Sequence, residues 1–388
     1  MKLSVHVLAL GGLGFQYASS SIPDLHGCVN DAKAFQKFVE EKLGPDTQIK
    51  VLHNADATRA NILNKFQTFL VGNEGIAKGD AIVFFYAGHG GNPVADTPKG
   101  KVETICPHDE RLMIDGHLIH GIPDFTFCHL FNELAAARGN NVTAIFDSCH
   151  SGGIGRLGVG VRYAPGGPAI PAHLDSERFR KRADMSQEAP YGFSYKHMES
   201  HVLLAACHET QLAHEGDFAG VYRGYFSESL VRQLYTSPLD TTTNRDIIHL
   251  TDHWAGQHPQ VEGVHKTRAL FSETYPKAYN ALPVLQGKKP GLFEIKMGST
   301  SSVVPGTEFL VTDGDSTIGA LTAREVLFHS CVCVFTAANG PTGLGRRWKA
   351  VASKWNHTML KSFLSPGFDA AATAALFPAD TSVPGLGS

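Results

Sequence analysis

Two glycine-flanked motifs each place a chemically active residue directly after an apolar run. The first, DAIVFFYAGHGG at 80–91, presents His89, and the second, NVTAIFDSCHSGG at 141–153, presents Cys149 at the corresponding point. An imidazole beside a thiol can accept its proton during attack on a substrate and then protonate the leaving group. The glycines let a substrate backbone approach and leave N–H groups available to an oxyanion. The motifs therefore predict a cysteine nucleophile with a histidine base.

This chemistry requires the two apolar runs to be neighbouring strands of one sheet. The pattern of apolar residues predicts strands at 5–13, 48–54, 81–86, 141–147, 202–207 and 267–271, and helices at 30–44, 58–73, 123–139, 224–235 and 241–256. This alternation predicts an α/β fold with a mostly parallel sheet and helices on both faces. The carboxyl ends of parallel strands lie along one edge, about 4.8 Å apart between neighbours. His89 and Cys149 can therefore meet at that edge.

The composition indicates a soluble globular protein of one large domain plus an addition. The chain has 388 residues, 43% hydrophobic and 18% charged, with a net charge of -3. This charge gives no general attraction to nucleic acid or membrane, and no run reaches the ~18 apolar residues of a spanning helix. The seven cysteines are scattered without CxxC spacing, which favours a reducing compartment over a disulfide framework. We expect a monomer in the cytoplasm or the nucleus.

The apolar stretch at 5–13 has a second interpretation. A lysine, an apolar run and small residues in MKLSVHVLALGGLGFQYASSS also fit a secretory signal peptide. His6 within the run and the Gly11-Gly12 pair favour a buried first strand. We therefore predict a strand there.

Three segments depart from the α/β pattern. Residues 154–200 are rich in Gly, Pro and charge without an apolar period and are expected to form a long exposed loop. After the α/β unit over 1–280, short alternating segments at 281–338 predict a small β appendage. Residues 339–388 show no clear period and are expected to form a poorly ordered tail.

Four motifs together resemble the metacaspases and especially the fungal caspase-domain proteins. They are YAGHG, DSCHSGG, IPDLHGCVNDA and ATRANIL, and the resemblance spans roughly residues 5–275. It implies the caspase-hemoglobinase fold, a six-stranded and mostly parallel sheet flanked by helices, and hydrolysis of peptide bonds after arginine or lysine in protein substrates. It also implies that Cys149 is the nucleophile, that His89 is the general acid and base, and that the N–H groups of Gly90 and Cys149 form the oxyanion hole.

The resemblance further assigns the pocket for the P1 side chain to Cys28, Asp31, Ala87 and Asp147. Two carboxylates can bind a guanidinium through charge-assisted hydrogen bonds, which agrees with a basic P1 residue. Taken singly, Asp31 also fits a helix N-terminal charge and Asp147 a strand-end cap. Ala87 stands where metacaspases often have serine, so one hydrogen bond to substrate is expected to be missing.

The calcium site of related metacaspases is incomplete in this sequence. Of the expected acidic positions only Asp124 remains, because Val102, Phe125 and Arg156 occupy the others. Calcium takes six to eight oxygen ligands, which this set does not supply. None of the 20 histidines has partners at ligand spacing. We therefore expect no metal and no other cofactor, and activity with little calcium requirement.

The 154–200 segment also carries candidate self-cleavage sites. Its basic cluster consists of Arg178, Arg180, Lys181 and Arg182, and an exposed loop is where proteolytic nicking concentrates. A pocket for basic residues would accept this loop, although the cluster also fits a solvated charge run. Two functions other than an Arg/Lys-specific peptidase stay open. One is a caspase-like scaffold or binding module without catalysis, and the other is a different thiol hydrolase or acyl transferase.

Overall fold

The structure, a computed structural model, describes most of the chain outside the ends and the 150–200 region. The described residues are 4–11, 19–44, 46–95, 100, 102–149, 160–171, 174–175, 193–195, 197–254, 256–276, 281–301, 303–313, 316–338, 340–345 and 348–354. The chain divides into two compact units, Met1–Tyr279 and Asn280–Ser388.

The first unit is built on a six-stranded sheet with the spatial order β6-β5-β4-β3-β1-β2. The strands are β1 Val5–Gly11, β2 Gln48–His53, β3 Ala81–Ala87, β4 Val142–Asp147, β5 Val202–Ala205 and β6 Gln260–Glu262. The first five are parallel to their neighbours, and β6 is antiparallel to β5. The predicted α/β class with a mostly parallel six-stranded sheet is confirmed.

Helices cover both faces of this sheet. They are α1 Cys28–Lys42, α2 Arg59–Lys65, α3 Asp124–Arg138, α4 Tyr225–Thr236 and α5 Asn244–Leu250, and a π-helical turn at Phe66–Val71 continues α2. Short strands form three small additions, at Gly90–Gly91 with Thr104–Ile105 and Ile122–Pro123, at Met113–Ile114 with His117–Leu118, and at Glu215–Phe218 with Val221–Gly224.

The sheet is central because its strands are apolar on both faces. Along β1, Val5 and Val7 enter one core cluster while Leu8 and Leu10 enter the other. Successive side chains of a strand point to opposite faces, so a continuous apolar run serves a sheet that is covered on both sides. All seven residues of β1 and of β3 are buried. The packing on both faces holds the strands in place, and the two motifs end at the carboxyl edge of this sheet.

Most helices follow the predicted spans, with one error at the sheet edge. The Thr58 side chain accepts the Asn61 N–H at the start of α2, as an N-cap does. The strand predicted at 267–271 is wrong, because Gln260–Glu262 forms the edge strand. Residues 268 and 270 instead hydrogen-bond through their backbones near the start of α5, where Asn244 N donates to Arg268 O and Leu270 N donates to Thr242 O.

The exposed loop expected at 154–200 is wrong for residues 160–171. Val161 is 7% and Arg162 0% exposed, and isolated bridges join Val161 to His214 and Tyr163 to Gly90. The Gly- and Pro-rich composition suggested a loop, but the backbone of this segment is paired with other strands. The four self-cleavage candidates Arg178, Arg180, Lys181 and Arg182 lie outside the described residues.

The second unit is a closed six-stranded barrel. Its strands are β7 Leu282–Gln286, β8 Phe293–Ile295, β9 Glu308–Asp313, β10 Ser316–Val326, β11 Cys331–Phe335 and β12 Trp348–Lys354, in the order β7-β8-β11-β10-β9-β12. β12 corrects the expected boundary at residue 338, because it pairs with both β7 and β9 and closes the barrel. Its buried residues are Trp348 and Ala350. Alanine contributes little to an apolar pattern, so the sequence did not indicate a strand here.

Within the described residues, no helix combines the length and the apolar character needed to cross a membrane.

Candidate active site

His89 and Cys149 lie at matching positions beyond two neighbouring strands. In the pairing of β3 with β4, Ala87 lies opposite Asp147, so each of the two reactive residues follows its strand by two positions. The Gly88 N–H donates to the Asp147 carbonyl at 3.2 Å, which extends the pairing to this point. Both His89 and Cys149 are fully buried. The structure brings the two motifs together at the carboxyl edge of the sheet.

Backbone contacts hold the His89 ring and loop in one orientation. Its Nε2 lies 2.8 Å from the Pro23 carbonyl oxygen, which can only accept, so Nε2 carries the hydrogen and Nδ1 is the proton-accepting nitrogen. The His89 carbonyl accepts from the Tyr86 hydroxyl at 2.7 Å and the Cys106 N–H at 3.0 Å. At Gly88 a Cβ would come within 2.4 Å of the Tyr86 oxygen, so only glycine fits.

Burial lowers the pKa of His89 to about 4, against the opposing hydrogen bond to Pro23. The imidazole is therefore neutral near pH 7. A neutral ring with a defined hydrogen on Nε2 suits the role of general base.

The Cys149 thiol faces the backbone of Ala213. Its Sγ accepts from the Ala213 N–H at 2.6 Å and lies 3.3 Å from the Ala213 carbonyl oxygen. Cys207, two residues beyond β5, lies beside it. The hydrogen bond with Cys149, together with burial, raises the pKa of the Cys207 thiol above its ordinary value. Cys207 is therefore a neutral thiol at the edge of the site.

Two backbone N–H groups converge on one carbonyl oxygen. Gly90 N and Cys149 N donate to the Arg162 carbonyl at 3.1 and 3.0 Å. These are the two donors that the resemblance to metacaspases assigns to the oxyanion hole. Paired N–H groups at such distances stabilise negative charge on a carbonyl oxygen in acyl transfer.

The side chain of the same Arg162 fills the pocket that holds Asp31 and Asp147. Its Nη2 lies 2.5 Å from Asp31 Oδ2 and its Nη1 lies 3.0 Å from Asp147 Oδ2. A third carboxylate, Glu215, lies 3.4 Å from Nη2. Burial by itself lowers the pKa of this guanidinium, but the neighbouring acidic groups, with Asp147 first, hold it well above its ordinary value. The pocket therefore favours a charged guanidinium.

Other groups hold the pocket carboxylates in place. Asp147 Oδ2 accepts from the backbone N–H and the hydroxyl of Ser227, at 3.0 and 2.6 Å, in the first turn of α4. Asp31 accepts from Arg223 Nε at 2.7 Å and from the Gly224 N–H at 3.0 Å. Burial raises the pKa of Asp31 to about 6, while Arg162 opposes the rise. Each carboxylate is thus fixed by contacts besides the bound guanidinium.

The other two predicted pocket residues are uncharged. Cys28 lines the wall of the pocket near Arg162 and the carboxylates, and Ala87 lies opposite Asp147 in the sheet. Cys28 and Ala87 are fully buried, and burial raises the pKa of the Cys28 thiol well above its ordinary value. Gly224 completes the wall, since a Cβ there would lie 2.2 Å from Asp147 Oδ2 and 2.6 Å from Arg162 Nη1. Cys28, Asp31 and Asp147 thus lie around the Arg162 guanidinium, and Ala87 lies beside them in the sheet.

Sequence analysis missed several residues of this site. They are Pro23, Arg162, Ala213, Glu215, Arg223, Gly224 and Ser227. Pro23 lies in the motif IPDLHGCVNDA, from which its place near the site could have been predicted. Glu215 and Arg223 lie on the hairpin before α4, and no local pattern separates them from surface charges.

The structure describes three of the four expected calcium positions. Asp124 is buried, and its Oδ1 accepts the Phe125 N–H at 2.6 Å, while Val102 is also buried and Arg156 lies outside the described residues. In the part of the chain that the structure describes, no group of three or more His, Cys, Asp or Glu residues is arranged to hold a metal ion.

Comparison with known proteins identifies the region around this site. Residues 12–157 match the model of the metacaspase peptidase C14 domain. This region is metacaspase-like. The match contains Cys28, Asp31, His89, Asp147 and Cys149, and it ends before the buried Arg162.

Curated fungal metacaspases match the same part of the chain. Metacaspase-1 of Cryptococcus neoformans var. neoformans serotype D (strain B-3501A) is 35% identical over 153 residues, covering 36% of this chain and 31% of the relative. Metacaspase-1A of Neurospora crassa is 31% identical over 168 residues, covering 37% and 35%. The chain thus spans about a third of the length of the curated relatives it matches.

Two solved structures align with a larger part of the chain. A protein of Geobacter sulfurreducens is 20% identical with a TM-score of 0.48, covering 69% of this chain and 99% of its own. Caspase-1 of Spodoptera frugiperda is 13% identical with a TM-score of 0.42, covering 70% and 91%.

Proposed function

We propose that this protein is a cysteine endopeptidase that cleaves peptide bonds after arginine or lysine, with Cys149 as nucleophile and His89 as general acid and base. One observation supports it above the others. Arg162, which lies just after the metacaspase-like region, places its guanidinium against Asp31 and Asp147 while its carbonyl oxygen accepts from Gly90 N and Cys149 N. That is the placement a P1 arginine needs for attack at its carbonyl.

The proposed reaction uses the neutral ring of His89. Nδ1 accepts the Cys149 proton as Sγ attacks the substrate carbonyl, and the two N–H donors stabilise the resulting oxyanion. His89 then protonates the leaving amine, and water hydrolyses the thioester. No step needs a metal or another cofactor, and we expect little dependence on calcium.

The acidic pocket sets the proposed specificity. Three carboxylates bind a planar guanidinium through charge-assisted contacts, and an ammonium can occupy the same charge environment with fewer hydrogen bonds. An aspartate at P1 would meet only like charge there. The expected substrates are proteins and peptides with a basic P1 residue, and self-cleavage within 154–200 belongs to the same proposal.

The test compares matched reporter peptides that end in Gly-Val-Arg and Gly-Val-Asp before the reporter group. We would use the Arg162→Ala chain, in which the resident guanidinium no longer fills the pocket, beside wild type. The arginine reporter should be hydrolysed and the aspartate reporter should not. A peptidyl-arginine electrophile should label Cys149 and should leave the Cys149→Ala chain unlabelled.

Preference for the aspartate reporter would contradict the pocket assignment. A well-folded chain that neither hydrolyses the arginine reporter nor reacts with the electrophile would contradict the peptidase and favour a binding module.

A further inference from the structure

The backbone of residues 160–162 crosses the site and is paired with residues 213–215. Arg162 N donates to the Ala213 carbonyl at 2.9 Å, and Glu215 N donates to the Gly160 carbonyl at 2.8 Å. Between them, Val161 forms an antiparallel bridge with His214. Extended peptides bind to exposed strands in this way, with the backbone giving affinity and alternate side chains giving specificity. The segment before Arg162 is therefore held as the acyl side of a peptide substrate would be.

The chain after Arg162 is held as well. Tyr163 bridges to Gly90, and Ala164 N donates to the Gly90 carbonyl at 2.9 Å. Both sides of the Arg162–Tyr163 bond are thus paired with the protein. The carbonyl of that bond lies between the Gly90 and Cys149 N–H groups.

The nucleophile lies next to this bond. Cys149 Sγ is 3.3 Å from the Ala213 carbonyl oxygen, which also accepts the Arg162 N–H at 2.9 Å. The Cys149 thiol and the Arg162 backbone N–H therefore both contact the Ala213 carbonyl oxygen. Sγ must leave this contact to reach the Arg162 carbonyl carbon, which a rotation about the Cys149 side chain provides.

We propose that the Arg162–Tyr163 bond is cleaved by Cys149 of the same chain, and that residues 160–164 close the site to other substrates until then. This inference rests on the proposed function and names the bond at which self-cleavage occurs. It replaces the basic cluster Arg178, Arg180, Lys181 and Arg182 as the expected position.

The reaction balances with one water molecule. The Cys149 sulfur bonds to the Arg162 carbonyl carbon, the thiol proton passes to His89, and the bond to the Tyr163 nitrogen breaks as that nitrogen takes the proton. Water then cleaves the thioester, giving a carboxylate at Arg162, a new amino terminus at Tyr163 and a regenerated thiol.

Burial makes the reaction intramolecular and keeps the intact chain latent. Arg162 is 0% exposed, so another molecule's active site cannot reach it without opening the segment. The pocket, the oxyanion donors and the Ala213 edge are all occupied by these residues. An external substrate must therefore displace the segment, either after the bond is cut or after Arg162→Ala has removed the contacts that anchor the segment in the pocket.

The experiment follows the purified full-length chain by intact mass and by sequencing of new amino termini. Wild type should give fragments 1–162 and 163–388, the second beginning Tyr-Ala-Pro-Gly, and hydrolysis of the arginine reporter should rise as they appear. The rate should stay constant on about a hundredfold dilution, because the bond and the thiol are on one chain.

Matched variants separate this bond from other sites. Cys149→Ala should stay whole, and Arg162→Gln should lose the Tyr163 terminus by at least about a hundredfold, since the pocket carboxylates are left unpaired. Arg162→Lys keeps the charge and should retain the cut. A chain with Arg178, Arg180, Lys181 and Arg182 all changed to glutamine should be cut as wild type is.

A wild type that hydrolyses the arginine reporter while this bond stays whole would overturn the inference and leave the proposed function intact. So would a cut within the basic cluster in place of Arg162–Tyr163, or a rate that falls with dilution. Failure of both wild type and Arg162→Ala to hydrolyse the reporter or bind the electrophile would overturn the two together.

Discussion

The His89–Cys149 pair and the acidic pocket around Arg162 are equally buried but rely on opposite electrostatics. Around Cys149 and His89 the described contacts are a thiol, a neutral imidazole and backbone groups, and burial keeps the pKa of His89 near 4. The pocket, in contrast, gathers three carboxylates around the guanidinium of Arg162. The first region avoids charge in its resting state, and the second binds it.

This difference agrees with the role proposed for each region. A base that shuttles one proton works best without a fixed charge, because it must gain and lose that proton within a catalytic cycle. A pocket that selects a cation gains from ionised partners, and burial strengthens each contact. The two regions should therefore respond differently to changes of charge and of pH.

The largest expected effect is on the pocket. Asp147→Ala, made in the Arg162→Ala chain so that the site is open, should lower kcat/KM for the arginine reporter. The loss of transition-state stabilisation should be between about 2 and 5 kcal/mol, because the change removes one partner of a buried charge pair. Steady-state kinetics on the paired reporters measure it. The matched control Asp240→Ala removes an exposed carboxylate and should change little. An unchanged kcat/KM in Asp147→Ala would place the P1 side chain elsewhere.

A smaller effect is expected from pH on the catalytic centre. The pKa of His89 is near 4 in the folded chain and about 6.5 unfolded, so the unfolded state binds more protons and stability falls as pH drops through this window. The free energy of unfolding should therefore be about 2 kcal/mol lower at pH 5 than at pH 7 because of this histidine. His89→Gln in the Cys149→Ala chain should remove that loss.

Urea unfolding at the two pH values measures the change in the free energy of unfolding. His208→Gln, which alters an exposed histidine in the same way, is the control and should leave the acid loss in place. Equal acid losses in the His89→Gln chain and its parent would show that His89 is already accessible to protons when the chain is folded.

Calcium should have the smallest effect. Val102, Phe125 and Arg156 stand where acidic ligands are expected, so activity in chelator and in millimolar calcium should differ by less than about twofold. The arginine reporter serves for this assay with the Arg162→Ala chain, which needs no self-cleavage to open the site. A large stimulation by calcium would reveal oxygen ligands that the sequence pattern does not identify.

Local patterns in the sequence were enough to predict the catalytic edge. Two apolar runs of strand length, each followed by glycines, predict parallel strands, and residues at the same distance past such strands meet at one edge. The pairing of Ala87 with Asp147 follows this expectation. The positions of Asp31 and Asp147 in a pocket came from the resemblance to metacaspases, since an acidic residue at a helix start or strand end has common structural roles of its own.

Only the tertiary structure decided what occupies the pocket. Arg162 reaches Asp31 across 131 positions and Glu215 across 53, and the segment that carries it has no apolar period. An arginine in a Gly- and Pro-rich stretch looks like a solvated residue, and its burial becomes visible only when the chain folds it against residues 213–215 and α1. The same reason explains the missed strand Trp348–Lys354, whose place comes from barrel closure and whose own pattern is weak. The sequence thus determined the reactive groups, because their positions depend on local periodicity, while long-range pairing determined the cation that fills the pocket.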